Sequence, residues 1–137
     1  MATGVVSGTC HCGMTGWTIV GDPGSVTACN CTICSRYGVL WAYDYENGRI
    51  KINGSTFVYE RVDKTPPNLE FHFCPKCASV ICWRAIKPEP DGRRRLAINI
   101  RLASVDEVGH LLIDHFDGLV SFEDLPSDGR RVCDLWF

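Results

Sequence analysis

The pattern of hydrophobic and polar positions along the chain is typical of short strands separated by turns. In Leu69–Phe73, apolar residues alternate with Glu70 and His72, which predicts a strand with one buried face and one polar face. Similar runs recur at intervals of about ten residues, with turn-forming residues between them, and this spacing predicts a mainly β fold in a single domain. The predicted strands are Val5–Thr9, Thr15–Val20, Ser25–Ala28, Val39–Tyr43, Arg49–Asn53, Phe57–Val62, Leu69–Phe73, Ser79–Arg84, Leu96–Ile100 and Leu111–Phe116.

Turn and helix signals complete this pattern. The dipeptide Asn53-Gly54 stands between two predicted strands and favours a hairpin. The proline-containing segments 65–68 and 87–92 predict loops. Helix is expected at two places: one turn after Cys31, and a short helix that begins with a capping box at Ser104–Glu107.

Composition and charge narrow the class of protein. A chain of 137 residues with 45% hydrophobic and 22% charged residues is typical of one soluble globular domain. The formal charge of -2 argues against a nucleic-acid partner. Apolar runs are too short to cross a membrane, and the N-terminus lacks the features of a secretory signal. We therefore expect a cytoplasmic protein without a membrane partner.

Nine cysteines are the unusual feature of the composition. An odd number excludes complete pairing within one chain, and in a reducing compartment clustered cysteines more often bind metal than form disulfides. Cys82 and Cys133 stand alone. The other seven lie in three tight groups, which are Cys10-His11-Cys12, Cys29-Asn30-Cys31-Thr32-Ile33-Cys34 and Cys74-Pro75-Lys76-Cys77.

The spacing of these groups predicts two zinc sites. Cysteines two or three positions apart can direct both sulfurs at one ion, whereas so short a loop strains a disulfide. A structural zinc takes four protein ligands, and a catalytic zinc usually takes three and keeps one position open. The simplest assignment joins the two outer pairs into a structural site of Cys10, Cys12, Cys74 and Cys77. The middle group then gives a catalytic zinc on Cys29, Cys31 and Cys34.

Other interpretations of the middle group stay open at this point. Cys82, Cys133 or a histidine can supply a fourth ligand, which would make the site purely structural. An iron–sulfur cluster is another alternative, although its usual ligand spacings differ from these. Cys82 lies in a strand-like run, where a buried thiol that behaves as a small hydrophobe is the simpler expectation.

Several motifs in a fixed order resemble the glutathione-dependent formaldehyde-activating enzyme family, which includes centromere protein V. The main ones are Gly8-Thr9-Cys10-His11-Cys12-Gly13 followed by Trp17, the Cys29–Cys34 group, and Phe73-Cys74-Pro75-Lys76-Cys77. Weaker matches are Ile98-Asn99-Ile100 and Phe116-Asp117-Gly118. The resemblance covers residues 7–123, so that 1–6 form an N-terminal extension and 124–137 a C-terminal tail.

This resemblance implies an Mss4-like, zinc-containing β-sheet fold with the same division into a structural and a catalytic zinc. It also implies a carbon–sulfur lyase that adds glutathione, as co-substrate, to formaldehyde and gives S-hydroxymethylglutathione. The sequence departs from the family pattern at three places. Ala78 replaces a glycine after Cys77, Asn30 replaces a histidine as in the centromere protein V branch, and Ser35-Arg36-Tyr37 replaces a more basic stretch.

An open three-cysteine zinc favours chemistry with thiols. Soft sulfur ligands suit such an ion, so that a thiol such as glutathione can become its fourth ligand and attack formaldehyde or another small carbonyl. Alternatively, the zinc polarises the carbonyl oxygen directly. The competing functions are a non-catalytic zinc module that binds a protein or chromatin partner, and an enzyme that acts on another carbonyl or an imine. The sequence is also compatible with a homo-oligomer.

Supporting residues are harder to select from sequence. Arg36 is a candidate for binding a substrate carboxylate, against the simpler view that it is a solvated surface residue. His115 is a candidate proton relay, against a structural histidine. Tyr37, Trp41, Tyr43 and Tyr45 are candidates for the wall of a pocket, although core packing explains them equally well.

Overall fold

The computed structural model describes residues 4–135, which form a single mainly β domain. Residues 1–3 of the expected extension, and Trp136 and Phe137 of the expected tail, lie outside the described residues. The strands are β1 (Val5–Thr9), β2 (Gly16–Val20), β3 (Ser25–Cys29), β4 (Trp41–Tyr45), β5 (Ile50–Asn53), β6 (Phe57–Glu60), β7 (Leu69–Phe73), β8 (Val80–Ala85), β9 (Arg95–Asn99), β10 (Leu112–Phe116) and β11 (Asp124–Leu125).

These strands form a small and a large sheet. The small sheet has the order β1-β2-β5, and the large sheet has the order β11-β10-β3-β4-β9-β8-β7-β6. Neighbouring strands are antiparallel except for β3 and β10, which are parallel. Each predicted strand is present with bounds within two residues of those expected, whereas the short β11 was not predicted.

Short helices connect the strands. Helix α1 (Thr32–Tyr37) follows Cys31, and α2 (Val105–Val108) is capped by Ser104, as the sequence predicted. Two 3₁₀ helices, Ile100–Leu102 and Val132–Leu135, were not predicted. Within residues 4–135, every helix is too short or too polar to cross a lipid bilayer.

The large sheet is covered on both faces, because side chains along its strands point alternately into two apolar clusters. One cluster fills the space between the two sheets and contains the buried residues Trp17, Ile19 and Ile98. The other lies on the opposite face, beside α1, and contains Trp41 and Phe71 among its buried members. This second face is the one on which the middle cysteine group lies.

The prediction of a hairpin at Asn53-Gly54 is wrong. Strand β5 pairs with β2 in the small sheet, and β6 pairs with β7 in the large sheet, so the chain passes from one sheet to the other at this point. Gly54 adopts a left-handed φ of 82°. A Cβ there would lie 2.3 Å from the Met14 carbonyl oxygen, so the glycine allows a close approach between segments instead of a two-strand turn.

The C-terminal segment packs on the body of the domain. Strand β11 pairs with β10, and the Val132 amide donates a hydrogen bond to the Leu111 carbonyl over 2.9 Å. The Val132 side chain is fully buried in the core between the sheets. Val132, with Leu135 packed beside it, therefore adds apolar surface from the C-terminal segment to the same core as the strands.

Candidate metal centres

The first cysteine cluster joins two turns that are distant in sequence. Cys10 and Cys12 lie in the connection between β1 and β2, and Cys74 and Cys77 lie between β7 and β8. The four sulfurs all lie within 4.8 Å of one another, with 3.6 Å between Cys10 and Cys12 and 3.6 Å between Cys12 and Cys74. A zinc tetrahedron with bonds of about 2.3 Å has sulfur–sulfur edges of about 3.8 Å. The cluster therefore fits this ion.

Hydrogen bonds around this cluster favour thiolates. The backbone amide of Thr15 donates to Cys10 Sγ over 3.3 Å, and the amide of Lys76 donates to Cys74 Sγ over 3.4 Å. Ser79 Oγ lies 3.3 Å from Cys77 Sγ, and hydrogen bonding from this hydroxyl lowers the pKa of Cys77 to about 5. These donors stabilise the charged form of sulfur that binds metal.

The second cluster, called the trio below, consists of Cys29, Cys31 and Cys34. Cys29 ends β3, Cys31 is the N-cap of α1, and Cys34 lies in the first turn of that helix. The Cys34 amide donates to Cys31 Sγ over 3.4 Å, so the cap that starts the helix also holds two of the sulfurs together. All three sulfurs lie within 4.8 Å of one another.

The protonation of the trio depends on its neighbours. The Cys34 thiol donates a hydrogen bond to Cys29, which lowers the pKa of Cys29 to about 5, and the same bond raises the pKa of Cys34. Without a cation, the three thiols therefore do not all ionise together. A soft divalent cation such as zinc would compensate three thiolates, and the donor set of three sulfurs suits it.

Three further residues fix the trio in place. The Trp41 indole nitrogen donates to Cys34 Sγ over 3.3 Å. Gly118 is buried against Cys29, and a Cβ at this position would lie 2.6 Å from Cys29 Sγ. Asn30 donates to the Asp117 carboxylate over 3.1 Å and accepts from the Leu119 amide, which ties the trio to the turn at 117–121.

Arg61 is a residue that sequence analysis missed. Its side chain is 8% exposed, its Nη1 lies 3.9 Å from Cys31 Sγ, and its Nε donates to Asp63 over 2.7 Å. Its Nη2 also donates to the Thr32 hydroxyl over 3.0 Å. The guanidinium thus places a positive charge beside a sulfur of the trio. No local pattern distinguishes this arginine, because the contact joins positions 30 residues apart in the chain.

A fourth metal ligand does not join the trio among residues 4–135. Cys82 is 2% exposed and lies in the core between the sheets, on the other face of the large sheet. Cys133 is exposed in the C-terminal 3₁₀ helix. The closed structural alternative that would use Cys82 or Cys133 is therefore not supported by the arrangement.

A cavity of about 520 Å³ adjoins the trio, and all three cysteines line it. Much of its wall is aromatic, with Trp41, Tyr43, Phe71, Trp83, Phe116 and Phe122. Its charged residues are Arg61, Lys64, Arg95 and Asp124. The trio thus faces a space large enough for a small molecule, with apolar walls and a cationic excess.

The family follows from a comparison with known proteins. A model of the glutathione-dependent formaldehyde-activating enzyme family matches residues 5–112. The chain belongs to this family. The match includes all seven cysteines of the two clusters. None of the curated proteins matches the chain.

A solved structure supports the fold of this family member. The crystal structure of a Rhodobacter sphaeroides protein is similar with a TM-score of 0.53 and 19% sequence identity. The similarity covers 70% of this chain and 85% of that chain. At this level of identity the likeness shows the shared architecture.

The supporting residues that were expected from sequence have mixed outcomes. Trp41 and Tyr43 line the cavity, but Tyr37 packs edge-on against Phe71 beside a separate groove, and Tyr45 lies under the Arg93 guanidinium at 4.0 Å. Two of the four candidates, Trp41 and Tyr43 of β4, therefore line the cavity, whereas Tyr37 and Tyr45 do not.

Two other expected residues also lie away from the trio. The Arg36 side chain donates a hydrogen bond to the Thr32 carbonyl over 2.7 Å and lines the separate groove. Arg36 is therefore not placed to bind a substrate carboxylate in the cavity. His115 Nε2 lies 3.3 Å from Asp128 Oδ2, and this histidine does not line the cavity. His115 is therefore beside Asp128 and not at the cavity, so the arrangement does not support its candidate role as a proton relay.

Proposed function

We propose that this protein is a zinc-dependent carbon–sulfur lyase that adds glutathione or a related thiol to formaldehyde or another small carbonyl. The observation that carries the proposal is the trio of Cys29, Cys31 and Cys34, which lines a cavity of about 520 Å³ and gathers no fourth ligand from residues 4–135. Membership of the formaldehyde-activating family supports the choice of substrates.

The two clusters have different roles in this proposal. Cys10, Cys12, Cys74 and Cys77 hold a structural zinc that clamps the β1–β2 turn to the β7–β8 turn. Such a zinc contributes on the order of 10 kcal/mol to folding in small domains. The zinc domain spans residues 7–123, and the segments 1–6 and 124–137 flank it. Because seven thiols must stay reduced, a reducing compartment such as the cytoplasm is part of the proposal.

The reaction needs no oxidant or reductant. The S–H bond of the thiol and the π bond of the carbonyl break, bonds form between sulfur and carbon and between oxygen and the proton, and the product is a hemithioacetal, which for formaldehyde is an S-hydroxymethyl thiol adduct. A zinc ion bound by the trio supplies a Lewis acid that favours the ionised form of the incoming thiol. The residues of the cavity then have to orient the thiol and the carbonyl and to stabilise charge on oxygen.

Two residues of the cavity, Arg61 and Tyr43, are suited to stabilising the charges of this reaction. Arg61 offsets the negative charge of the trio from its position 3.9 Å from Cys31 Sγ. Desolvation raises the pKa of the Tyr43 hydroxyl to about 12, so the hydroxyl keeps its proton at neutral pH. A protonated hydroxyl donates a hydrogen bond to the oxygen that gains charge, and the aromatic walls limit competing water.

The test is exchange spectroscopy by NMR on glutathione, formaldehyde and their adduct, with protein that holds two equivalents of zinc. We expect the wild type to speed exchange above the uncatalysed rate and Cys31→Ser to abolish the increase. Cys133→Ser, which replaces an exposed cysteine outside both clusters, is the matched control and should keep full activity. Unchanged exchange with the zinc-loaded wild type would reject the proposal. Other aldehydes and imines in the same assay would then define the substrate.

A further inference from the structure

We propose that Lys64 and Arg95 form a carboxylate-binding rim that makes the cavity selective for a thiol with two carboxylates. The inference rests on the proposed function, because it describes how the thiol substrate of that reaction is recognised. It differs from the expectation for Arg36, whose side chain lines another groove.

Arg95 is placed to meet a ligand at the cavity. It begins β9, it is exposed, and its guanidinium carbon lies 5.4 Å from the Trp83 ring centre and 5.9 Å from that of Tyr43. Both rings line the cavity beside the trio. Stacking on an aromatic ring holds a guanidinium in place and leaves its N–H edge free for a carboxylate.

Lys64 has a similar environment on another wall. Its Nζ lies 5.1 Å from the centre of the Phe122 ring, and both residues line the cavity. Within the described chain, neither Lys64 nor Arg95 has a carboxylate at ion-pair distance. Both cations are therefore available to an anion from outside.

Other arginines near this face are already paired. Arg61 binds Asp63 at 2.7 Å, and Arg93 binds Asp91 at 2.8 Å. Unpaired cations beside the aromatic wall of a cavity favour a ligand that brings the opposite charge. Asp124 also lines the cavity, and a carboxylate there suits an ammonium group. Two cations and one anion therefore match, in sign, a peptide thiol with two carboxylates and one ammonium.

The test measures binding without chemistry at sulfur. S-methylglutathione keeps both carboxylates and the ammonium group, but its thioether cannot ionise. We expect calorimetry on the zinc-loaded wild type to show binding of S-methylglutathione at least about tenfold tighter than binding of its diethyl ester, since charged hydrogen bonds contribute this much each. Arg95→Gln and Lys64→Gln should each reduce the ratio several-fold, and Arg95→Lys should keep part of it.

The matched control is Arg93→Gln, because this arginine is two positions from Arg95 and its partner is Asp91 outside the cavity. It should leave the ratio unchanged, and thermal unfolding should show that every variant is folded. Equal binding of acid and ester, no binding of either, or a ratio that survives both glutamine substitutions would overturn the inference. If the ratio depends on charge but the protein does not speed formaldehyde exchange, the proposed reaction is rejected, and only the carboxylate-binding role of Lys64 and Arg95 remains supported.

Discussion

The indole nitrogen of Trp41 donates a hydrogen bond to the sulfur of Cys34 over 3.3 Å, and both residues are buried. This bond joins the aromatic wall of the cavity directly to the trio. Hydrogen bonds to metal-bound sulfur reduce its electron donation and fix its orientation, and outer partners of this kind change metal affinity by about 10–100-fold. Trp41 is therefore part of the proposed centre as well as part of the core.

Replacing this donor gives the first prediction. Trp41→Phe should weaken zinc binding at the trio by about tenfold, because it removes the N–H group and keeps an aromatic ring. Competition with a chromophoric chelator measures the affinity, and the charge-transfer band of the cobalt-substituted protein should shift. Trp83→Phe is the control, since Trp83 lines the same cavity without a hydrogen bond to a trio sulfur. Equal effects of both substitutions would show that lost packing alone is responsible.

The second prediction concerns Gly118. A Cβ at this position would lie 2.6 Å from Cys29 Sγ and 3.1 Å from Cys31 Cβ, so Gly118→Ala must displace the trio. We expect the purified variant to hold one equivalent of zinc instead of two, with the four-cysteine cluster still occupied. Leu119→Ala, an exposed neighbour in the same turn, should keep both. Metal analysis that finds two equivalents in Gly118→Ala would contradict this close-packing argument.

Ala78 provides a prediction about stability. It has a φ of 65°, in the left-handed region where a Cβ costs about 1–2 kcal/mol. Ala78→Gly should therefore stabilise the zinc-loaded protein by about 1 kcal/mol and raise its thermal midpoint by roughly 3–5 °C. Ala85→Gly at the end of β8 should do the opposite, because glycine weakens a strand. A lower midpoint for Ala78→Gly would show that the turn after Cys77 needs the methyl group.

Ala78 also illustrates what the sequence can reveal. The replacement of the family's glycine at this position is visible in the sequence, just as the strands are visible from alternation and the two clusters from the spacing of cysteines. All of these are local signals. The sequence did not reveal that Asn53-Gly54 joins two sheets, because the partner of each strand is decided by burial in the whole fold.

The cavity was the least predictable part for the same reason. Lys64, Arg95 and Phe122 come from separate loops and strand ends and meet only in the folded chain. Arg36 was the nearest cation in sequence to the trio, yet its side chain turns back to the Thr32 carbonyl. Arg61, from the end of β6, supplies the charge beside Cys31 instead. Sequence proximity to a motif is thus a poor guide to the walls of a site.

The four-cysteine cluster and the trio should respond differently to loss of a ligand. Cys74→Ser should lower the thermal midpoint sharply, because the first cluster joins turns that are distant in the sequence, and structural zinc contributes on the order of 10 kcal/mol. Cys34→Ser should lower it much less, since the trio comes from one short segment whose closure costs little. Thermal unfolding of both variants checks this order, and a larger loss in Cys34→Ser would reverse the assigned roles.

Alkylation of cysteine tests both clusters together. Cys133 is exposed, whereas burial raises the pKa of the Cys82 thiol to about 12 and leaves almost no thiolate at pH 7.5. With both clusters occupied, a short exposure to iodoacetamide should label Cys133 alone, and mass spectrometry should find one adduct. Chelation removes the structural zinc and with it on the order of 10 kcal/mol of folding free energy, so the domain should open and all nine cysteines should react.

Denaturation supplies the upper limit of this experiment, because unfolding returns the Cys82 pKa to its ordinary value and all nine cysteines then react. Cys133→Ser is the control and should show no adduct before chelation. If four cysteines react in the zinc-loaded wild type, the trio holds no metal under these conditions and only the first cluster does. If Cys82 reacts before unfolding, the core between the two sheets opens more readily than its packing indicates. A rise from one adduct to nine on chelation alone would show that bound metal protects the seven clustered sulfurs and keeps the core closed around Cys82.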